Sequence, residues 1–223
     1  MSDPISPSAG WGVLHLFCKR TPHLDGEAVV AAVKQCEASG HTVVTSSILG
    51  HKADLCVMAL GPDLRELRTL QSGLQRAGLE IADSYVSLTE VSEYAKGLPE
   101  EMLKPRLSPQ LPPDGKSSFA FYPMSKRREH HDNWYTLPFD RRKELMHEHG
   151  MSGRKFAGRV VQLITASTGF DAFEWGVTLF CVNPDDIKDV VYTMRFDEAS
   201  AVYAEFGPFY VGILEPIETL VTS

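Results

Sequence analysis

The spacing of hydrophobic residues divides the first half of the chain into alternating strands and helices. Runs in which every second residue is apolar predict strands, and apolar residues that recur every three or four positions predict helices. The predicted elements are a strand at 11–18, a helix that begins at 25 or 26 and ends near 40, strands at 42–48 and 54–60, a helix that ends before 78 and a strand at 81–88. This β-α-β-β-α-β order is that of a ferredoxin-like unit.

The same order returns in the second half. The predicted elements are a strand at 118–124, a helix at 138–149 that Gly150 stops, strands at 159–165 and 173–182, a helix that opens at Asn183 and Pro184 and continues or restarts through 200–206, and a strand at 209–214. No residue-level repeat relates the halves. We therefore predict an α+β protein whose two ferredoxin-like halves, residues 9–96 and 118–216, pack together or close into a barrel.

A proline-rich connector at residues 97–117 separates the predicted halves. Its prolines are Pro99, Pro105, Pro109, Pro112 and Pro113. Because proline lacks an amide hydrogen and restricts φ, we expect the connector to contain no regular helix and to be extended. A loop of this length in a compact protein is often functional, and a simple tether between the halves is the alternative.

Composition limits the partners of this 223-residue chain. Its 22 Lys and Arg and 29 Asp and Glu residues give a net charge of −7, which provides no general attraction for nucleic acids or anionic lipids. The N-terminus lacks the basic and apolar segments of a signal peptide, and no apolar run is long enough for a membrane span, so we expect a cytoplasmic protein. The cysteines lie within apolar patterns without paired spacing, which predicts buried thiols.

His149 is the candidate metal ligand. It occupies the last turn of its predicted helix, four residues after Leu145 and on the same face, so its imidazole is expected to point to the core. A neutral imidazole in such a position can bind iron. The alternative is a purely structural histidine that interacts with the negative end of the helix dipole. His130, His131 and His147 are predicted to lie at the surface.

Further candidate side chains alternate along two predicted strands. Gln162 shares a strand face with apolar residues, which predicts a buried amide with hydrogen-bond partners in the backbone or water. Tyr122, Met124 and Lys126 share one face if their strand extends that far. As a structural alternative, the tyrosine and the methionine are ordinary core residues and the lysine is an exposed strand end.

Two more candidates lie at the end of the predicted helix that opens at Pro184. An arginine such as Arg195 binds a ligand carboxylate through two parallel hydrogen bonds, and Ser200 follows it closely in the sequence. The alternative for Arg195 is an ion pair with an Asp or Glu of the chain. Trp175 is either a pocket residue or a plain core aromatic.

The segments that carry these residues resemble a known family. They read YPMSKRREHHDNWY, HGMSGRKFAGRVVQLITASTGFDAFEWGVTLF and MRFDEASAVYAEFGPFYVG. They are similar to the chlorite dismutase superfamily, and closely to its coproheme decarboxylase branch in bacterial haem synthesis. The resemblance covers the C-terminal half by specific motifs and the N-terminal half by pattern, and it implies a dimeric α/β-barrel subunit.

The resemblance implies a role for each candidate residue. His149, in the segment His-Gly-x-x-Gly-Arg, is implied to be the proximal haem ligand. Gln162 matches the distal position, where true chlorite dismutases carry an arginine and decarboxylases resembling those of Firmicutes carry glutamine, so it argues against chlorite chemistry. Tyr122 is implied to form the radical that attacks a propionate, in preference to Tyr135, because it precedes the x-Met-x-Lys pattern. The implied contacts of the porphyrin or its propionates are Lys126, Arg195, Ser200, Met124, Trp175 and, across small gaps in the match, Arg106 and Tyr85.

The implied activity is the peroxide-dependent conversion of coproheme (Fe-coproporphyrin III), as both substrate and cofactor, to haem b. We expect His149 to lack a strong carboxylate partner, because weak ligation suits a site that releases its product. The connector contains no histidine, so the distal proton-transfer group is not identified. The family further implies a homopentamer, and we expect transient contact with a coproporphyrin ferrochelatase. The alternatives are a chlorite dismutase or peroxidase, a non-enzymatic haem carrier or sensor, and a ferredoxin-like structural subunit without a cofactor.

Overall fold

The computed structural model describes residues 3–95, 97 and 99–222. The first half contains β1 (Gly12–Arg20), α1 (Gly26–Ala38), β2 (Thr42–Ile48), β3 (Leu55–Gly61), α2 (Leu64–Arg76) and β4 (Leu79–Thr89). A short helix, α3 (Glu100–Leu107), follows it. The second half contains β5 (Ser118–Lys126), α4 (Phe139–Arg154), β6 (Val160–Ala166), β7 (Trp175–Cys181), α5 (Pro184–Met194), α6 (Glu198–Ala201), β8 (Ala204–Phe206), β9 (Tyr210–Leu214) and α7 (Ile217–Thr222).

Local capping explains why several helices begin where the sequence predicts. The side chains of Asp25 and Asp63 accept hydrogen bonds from backbone N–H groups in the first turns of α1 and α2, which satisfies donors that a helix leaves unpaired. At α5, a carboxylate oxygen of Asp186 accepts the backbone N–H of Asn183 at 3.1 Å, and Pro184 occupies the first turn. None of the described helices combines the length and hydrophobicity that a bilayer crossing requires.

The strands form one antiparallel sheet that closes on itself. Their order is β7-β6-β4-β1-β3-β2-β9-β5-β8, and an additional pairing of β5 with β7 joins the two ends. Eight strands thus form a barrel, and β8 extends β5 outside it. Within the halves the orders are β2-β3-β1-β4 and β6-β7-β5-β9, so both halves have the same ferredoxin-like topology. The predicted fold class is confirmed.

Two short seams join the halves. β4 meets β6 through two residue pairs, and β2 meets β9 through three pairs, the last of which is Ile48 with Gly212. A Cβ atom at Gly212 would lie 2.0 Å from the carbonyl oxygen of Ser47. Only glycine therefore allows the backbones of β2 and β9 to approach this closely.

Successive side chains of a strand point to opposite sides of the sheet, so hydrophobic side chains form one cluster inside the barrel and others on its outside. The inside of the barrel is filled with large side chains, among them Phe17, Met58, Phe119, Phe121 and Phe180. Helices α1, α2 and α7 cover the outside of the first half, and α5 packs on the outside of the second half. All four cysteines are buried free thiols, as predicted.

The connector prediction was wrong in one respect, because α3 lies within it. Pro105 lies inside this short and mostly exposed helix, where its missing N–H removes one backbone hydrogen bond. Acidic residues occupy its first turn, and Lys104 and Arg106 occupy its last turn, which matches the helix dipole.

Two helix boundaries of the second half also differ from the prediction. Helix α4 continues through Gly150 to Arg154, so His149 lies within the helix and not in its last turn. Glycine weakens a helix by only about 1 kcal/mol, and side-chain contacts of the following turn outweigh this cost. The predicted helix across 200–206 is limited to α6, and its remainder contains the edge strand β8, which pairs with the end of β5.

Candidate functional site

Strands β5, β6 and β7 present a common face on the outside of the barrel, which we call the outer face. Residues paired across these strands project to the same side. The three rows are Gln162, Leu179 and Ala120; Ile164, Val177 and Tyr122; and Ala166, Trp175 and Met124. The outer face therefore carries four of the predicted site residues, which are Tyr122, Met124, Gln162 and Trp175.

Tyr122 is buried on the outer face beneath two aromatic rings. Its ring stacks on Phe209 with the centroids 4.4 Å apart, and Phe206 lies 5.8 Å away. Burial raises the pKa of Tyr122, and the charge of Arg195 acts in the opposite direction. The phenol is therefore protonated at neutral pH, with a cationic side chain in its surroundings.

Arg195 borders an open apolar cavity whose wall residue Phe209 also stacks on Tyr122. The cavity has a volume of about 310 Å³, and its walls include Phe209 and residues Ile187 and Val191 of α5. The guanidinium lies 5.6 Å from the ring of Phe206, and no described carboxylate forms an ion pair with it. The structure thus does not support the internal ion pair that was the alternative for Arg195, and its charge is available to a ligand.

His149 has a carboxylate partner, contrary to the expectation from the sequence. Its Nδ1 lies 3.2 Å from Oδ2 of Asp197, and Ser200 Oγ lies 3.5 Å from the same nitrogen. The other oxygen of Asp197 accepts a hydrogen bond of 2.7 Å from Ser152, one turn further along α4. The segment between α5 and α6 brings Asp197 to this position, which is a long-range contact that no local pattern reveals.

The surroundings of His149 suit an imidazole that holds the iron of a porphyrin. Burial lowers the pKa of His149, the charge of Lys126 lowers it further, and Asp197 acts in the opposite direction. Its Nδ1 faces Asp197, and no hydrogen bond joins Nε2 to the described residues. In the described part of the chain no three His, Cys, Asp or Glu side chains form a metal-binding group. A porphyrin provides the equatorial ligands of its iron, so a single imidazole suffices.

Lys126 is buried at the end of β5, so the alternative of an exposed strand end does not hold. Its Nζ donates a hydrogen bond of 2.5 Å to the carbonyl of Ala199 and lies 4.3 Å from the ring centre of Trp134. Burial lowers the pKa of Lys126 to about 8, while the charge of Glu174 acts in the opposite direction. The site thus contains a poorly solvated amine beside His149.

The sequence interpretation missed Asp197, Trp134 and Glu174 as site residues. Trp134 packs under the Lys126 amine, and a carboxylate oxygen of Glu174 accepts the backbone N–H of Lys126 at 2.8 Å. The partners of Asp197 and Glu174 are 48 positions away in the sequence, and Trp134 reaches Lys126 only because the chain folds back after β5. Of the three, only Asp197 has a feature that the local sequence reveals, because it is a residue type that caps helices and stands directly before α6.

Gln162 is exposed on the outer face, so the prediction of a buried, hydrogen-bonded amide was wrong. Its neighbour Ile164 is 46% exposed. Neither helix α4 nor α5 covers this part of β6, and the result is an open apolar surface with one amide group. A flat apolar ligand with a polar centre matches such a surface.

The protein family of the chain follows from the match of most of its length to one family. Residues 25–215 match the family described as chlorite dismutase. The chain belongs to the chlorite dismutase family. The resemblance inferred from the motifs is thereby confirmed.

Individual relatives within and around the chlorite dismutase family are similar over most of the chain. The coproheme decarboxylase of Staphylococcus carnosus is 40% identical over 251 aligned positions, which cover 100% of this chain and 98% of that protein. The coproheme decarboxylase of Staphylococcus saprophyticus is 46% identical over 178 positions, which cover 74% of this chain and 70% of that protein. The solved structure of a haem-binding protein from Thermus thermophilus superimposes with a TM-score of 0.83 and 37% identity, covering 99% of this chain and 98% of that one.

Two residues that the resemblance assigned to the propionates lie apart from the others. Tyr85 projects into the barrel, where its ring packs 5.2 Å from Phe121 and its hydroxyl bonds to Ser167 and the carbonyl of Phe173. Because Phe121 and Tyr122 alternate on β5, Tyr85 faces the side opposite to Tyr122. Arg106 is exposed on α3, which a bond of 2.8 Å from Thr89 to the Leu107 carbonyl holds at the end of β4.

The structure also locates Trp175 and the three histidines that were predicted to lie at the surface. Trp175 is half-buried on the outer face, and its indole N–H donates to Glu90 at 3.2 Å. The histidines at 130, 131 and 147 are exposed, as predicted. The structure therefore groups His149, Ser200 and Lys126 at one end of β5 and Tyr122 with Arg195 further along the same strand.

Proposed function

We propose that this protein is a coproheme decarboxylase, which uses hydrogen peroxide to convert Fe-coproporphyrin III to haem b. Each propionate that reacts loses one hydrogen atom, one further electron and carbon dioxide, which leaves a vinyl group, and the two electrons reduce one hydrogen peroxide to two molecules of water. The observation that carries the proposal is Tyr122, a buried phenol with a cationic neighbour on the apolar outer face, on the same strand as the lysine beside His149. The names of the two staphylococcal relatives support it.

In this proposal the charged side chains recognise the four carboxylates of the substrate. The net charge of the chain is −7, so anionic ligands are attracted only by local groups. Arg195 has no described carboxylate partner, and Lys126 is a cation held in a site of low polarity. Both interact strongly with propionates because little water competes there. Ser200 and Arg106 are further proposed contacts.

The protein residues orient the substrate and manage protons, while the bound iron porphyrin supplies the oxidising chemistry. His149 would hold the iron through Nε2, and Asp197 orients its ring by accepting the proton of Nδ1. Met124 and Trp175 would form part of the apolar floor under the porphyrin, and Gln162 would offer its amide to the bound substrate. Tyr122 would give up a hydrogen atom and then take one from the propionate, and the second electron of the decarboxylation would pass to the bound oxidised porphyrin.

The decisive experiment is a titration of the coproheme complex with hydrogen peroxide, followed by mass spectrometry of the porphyrin. We expect the loss of two molecules of carbon dioxide in the wild-type protein. Tyr122→Phe keeps the ring and removes the oxidisable hydroxyl, so it is expected to bind coproheme and to form no vinyl group. The matched control is Tyr135→Phe, which removes the competing phenol and is expected to retain the reaction. Oxygen release from chlorite, or full turnover by Tyr122→Phe, contradicts the proposal.

The resemblance leaves other properties as predictions. These are a homopentamer, location in the cytoplasm and transient contact with a coproporphyrin ferrochelatase. Tyr85 is the weakest of the assigned propionate contacts, because its hydroxyl is satisfied within the barrel.

A further inference from the structure

Tyr210 is a second buried tyrosine with an unusual partner. It belongs to β9, is 6% exposed and projects into the barrel. Its hydroxyl donates a hydrogen bond of 2.5 Å to Oδ2 of Asp83, and its ring stacks on Phe17 at 3.7 Å. The other oxygen of Asp83 accepts the N–H of Ser84 at 2.8 Å, so the carboxylate is held in place. A hydrogen bond of this length to a charged acceptor is among the strongest in proteins.

Tyr210 lies close to Tyr122 through the strand pairing. Tyr210 is the partner of Phe121 in the β5–β9 register, and Cα atoms of such partners are about 5 Å apart. Tyr122 is the next residue along β5, and its ring stacks on Phe209, the residue before Tyr210. The two phenols therefore lie on opposite faces of adjacent strands. Two short routes connect them, one through the paired backbones of β5 and β9 and one through the ring of Phe209.

The two tyrosines differ in what receives the phenol proton. Oxidation of a tyrosine near neutral pH requires that the proton leaves with the electron, because the phenol radical cation is a very strong acid. No hydrogen bond joins the hydroxyl of Tyr122 to the described residues, whereas the hydroxyl of Tyr210 already points at a carboxylate. A base at hydrogen-bond distance makes the loss of the electron easier. Tyr210 thus has the lower barrier to oxidation once an oxidant is near.

We propose that Tyr210 and Asp83 form a second oxidation site, which takes the oxidising equivalent from Tyr122 when no propionate reacts. The inference rests on the proposed function, which supplies hydrogen peroxide as the oxidant and Tyr122 as the first radical. One electron passes from the Tyr210 ring to the Tyr122 phenoxyl, and the Tyr210 proton moves to the Asp83 carboxylate. Tyr122 recovers a proton from solvent and is restored. The radical is thereby stored away from the porphyrin instead of damaging it.

The test uses the protein loaded with haem b, so that no further vinyl group is formed, and mixed with hydrogen peroxide before freezing. High-field electron paramagnetic resonance separates the two radicals, because a phenoxyl oxygen that accepts a hydrogen bond has a lower gx value. We expect the wild type to show the hydrogen-bonded radical. Tyr210→Phe and Asp83→Asn are each expected to lose that signal and to keep the radical without a hydrogen bond. Glu80→Gln removes an exposed charge from the same strand and is expected to match the wild type.

The outcomes separate this inference from the proposed function. If the wild type converts coproheme but Tyr210→Phe and Asp83→Asn give its radical spectrum unchanged, the second oxidation site is wrong and the decarboxylase proposal stands. If the wild type neither converts coproheme nor forms any radical that depends on Tyr122, both are overturned. Asp83→Asn changes an exposed position, so it remains informative should Tyr210→Phe fail to fold or to bind haem.

Discussion

At the scale of single residues, the contact between His149 and Asp197 determines how the candidate ligand is presented. A carboxylate that accepts the Nδ1 proton fixes the tautomer, which leaves the lone pair of Nε2 for a metal. The contact also limits rotation of the ring, because Ser152 holds the second oxygen of Asp197. The imidazole of His149 is therefore held in a more fixed orientation than the sequence suggested.

We expect Asp197→Ala to weaken the binding of coproheme about 10- to 100-fold, the usual effect of removing a partner of a metal ligand. The same change should raise the reduction potential of the bound iron, because the imidazole donates less electron density. Spectroscopic titration and spectroelectrochemistry measure the two effects. Asp189→Ala removes an exposed carboxylate of α5 that pairs with Lys188 and serves as the control. Wild-type affinity and potential in Asp197→Ala would show that the contact does not support ligation.

A second residue-scale prediction concerns His15, which is fully buried inside the barrel. Its Nε2 bonds to Thr178 Oγ1 at 3.0 Å, its Nδ1 has no partner among the described residues, and its ring lies 4.3 Å from Phe121. Burial lowers the pKa of His15 to about 3, below the value of about 6.5 in an unfolded chain. Between these values the unfolded state binds a proton that the folded state does not, so the stabilisation is complete above pH 6.5 and is lost as the pH falls towards 3.

Below pH 6.5 we therefore expect the free energy of unfolding of His15→Phe to fall less steeply with falling pH than that of the wild type. The difference in slope is up to about 1.4 kcal/mol per pH unit. The free energy of unfolding in urea, measured from pH 7 down to pH 4, gives this slope. His147→Gln changes an exposed histidine and should leave the slope as in the wild type. Identical slopes in the wild type and His15→Phe would show that His15 is protonated in the folded protein.

At the scale of elements, α4 shows how tertiary contacts override a helix-stop signal. Gly150 is followed by a full further turn because Ser152 bonds to Asp197 and Phe156 packs under α5. Sequence signals for helix ends describe an isolated helix, and they fail where a later contact stabilises an extra turn. The same reason explains α3 and β8, since β8 exists only through its pairing with β5.

We expect Gly150→Ala to stabilise the protein by about 0.5–1 kcal/mol, because alanine loses less backbone entropy in a helix. No atom lies within 4 Å of the added Cβ, and the glycine does not have a positive φ. Gly158→Ala is the matched control, because its surroundings are equally open but its φ is +82°. That variant is expected to lose about 1 kcal/mol. Thermal and urea unfolding measure both, and a destabilised Gly150→Ala would mean that α4 ends before this residue.

At the scale of the whole molecule, closure of the barrel decides which side chains meet. The halves are joined by only two and three residue pairs at the two seams. Closure nevertheless gives each of the eight barrel strands a neighbour on both sides, and it separates Tyr85 inside from Tyr122 outside. The open outer face exists because α4 and α5 leave part of β6 uncovered.

We expect Gly212→Ala to destabilise the fold by about 1–3 kcal/mol, because its Cβ would meet the Ser47 carbonyl at 2.0 Å and would force the β2–β9 seam apart. Ile213→Ala, next in the strand and 46% exposed, should cost less than about 0.5 kcal/mol. Hydrogen exchange of the β2 and β9 amides reports on the seam directly. Unchanged protection in Gly212→Ala would show that the seam adapts without opening.

The sequence alone determined the order of the elements, the two ferredoxin-like halves, the family and the shared face of Tyr122, Met124 and Lys126. These depend on periodicity, capping residues and motifs, which are local in the chain. Only the tertiary structure decided that Asp197 holds His149, that Gln162 is exposed, that Tyr85 faces inwards and that Tyr210 meets Asp83. Each of these contacts joins residues 48 or more positions apart or depends on which helix covers a strand, and no local pattern contains that information.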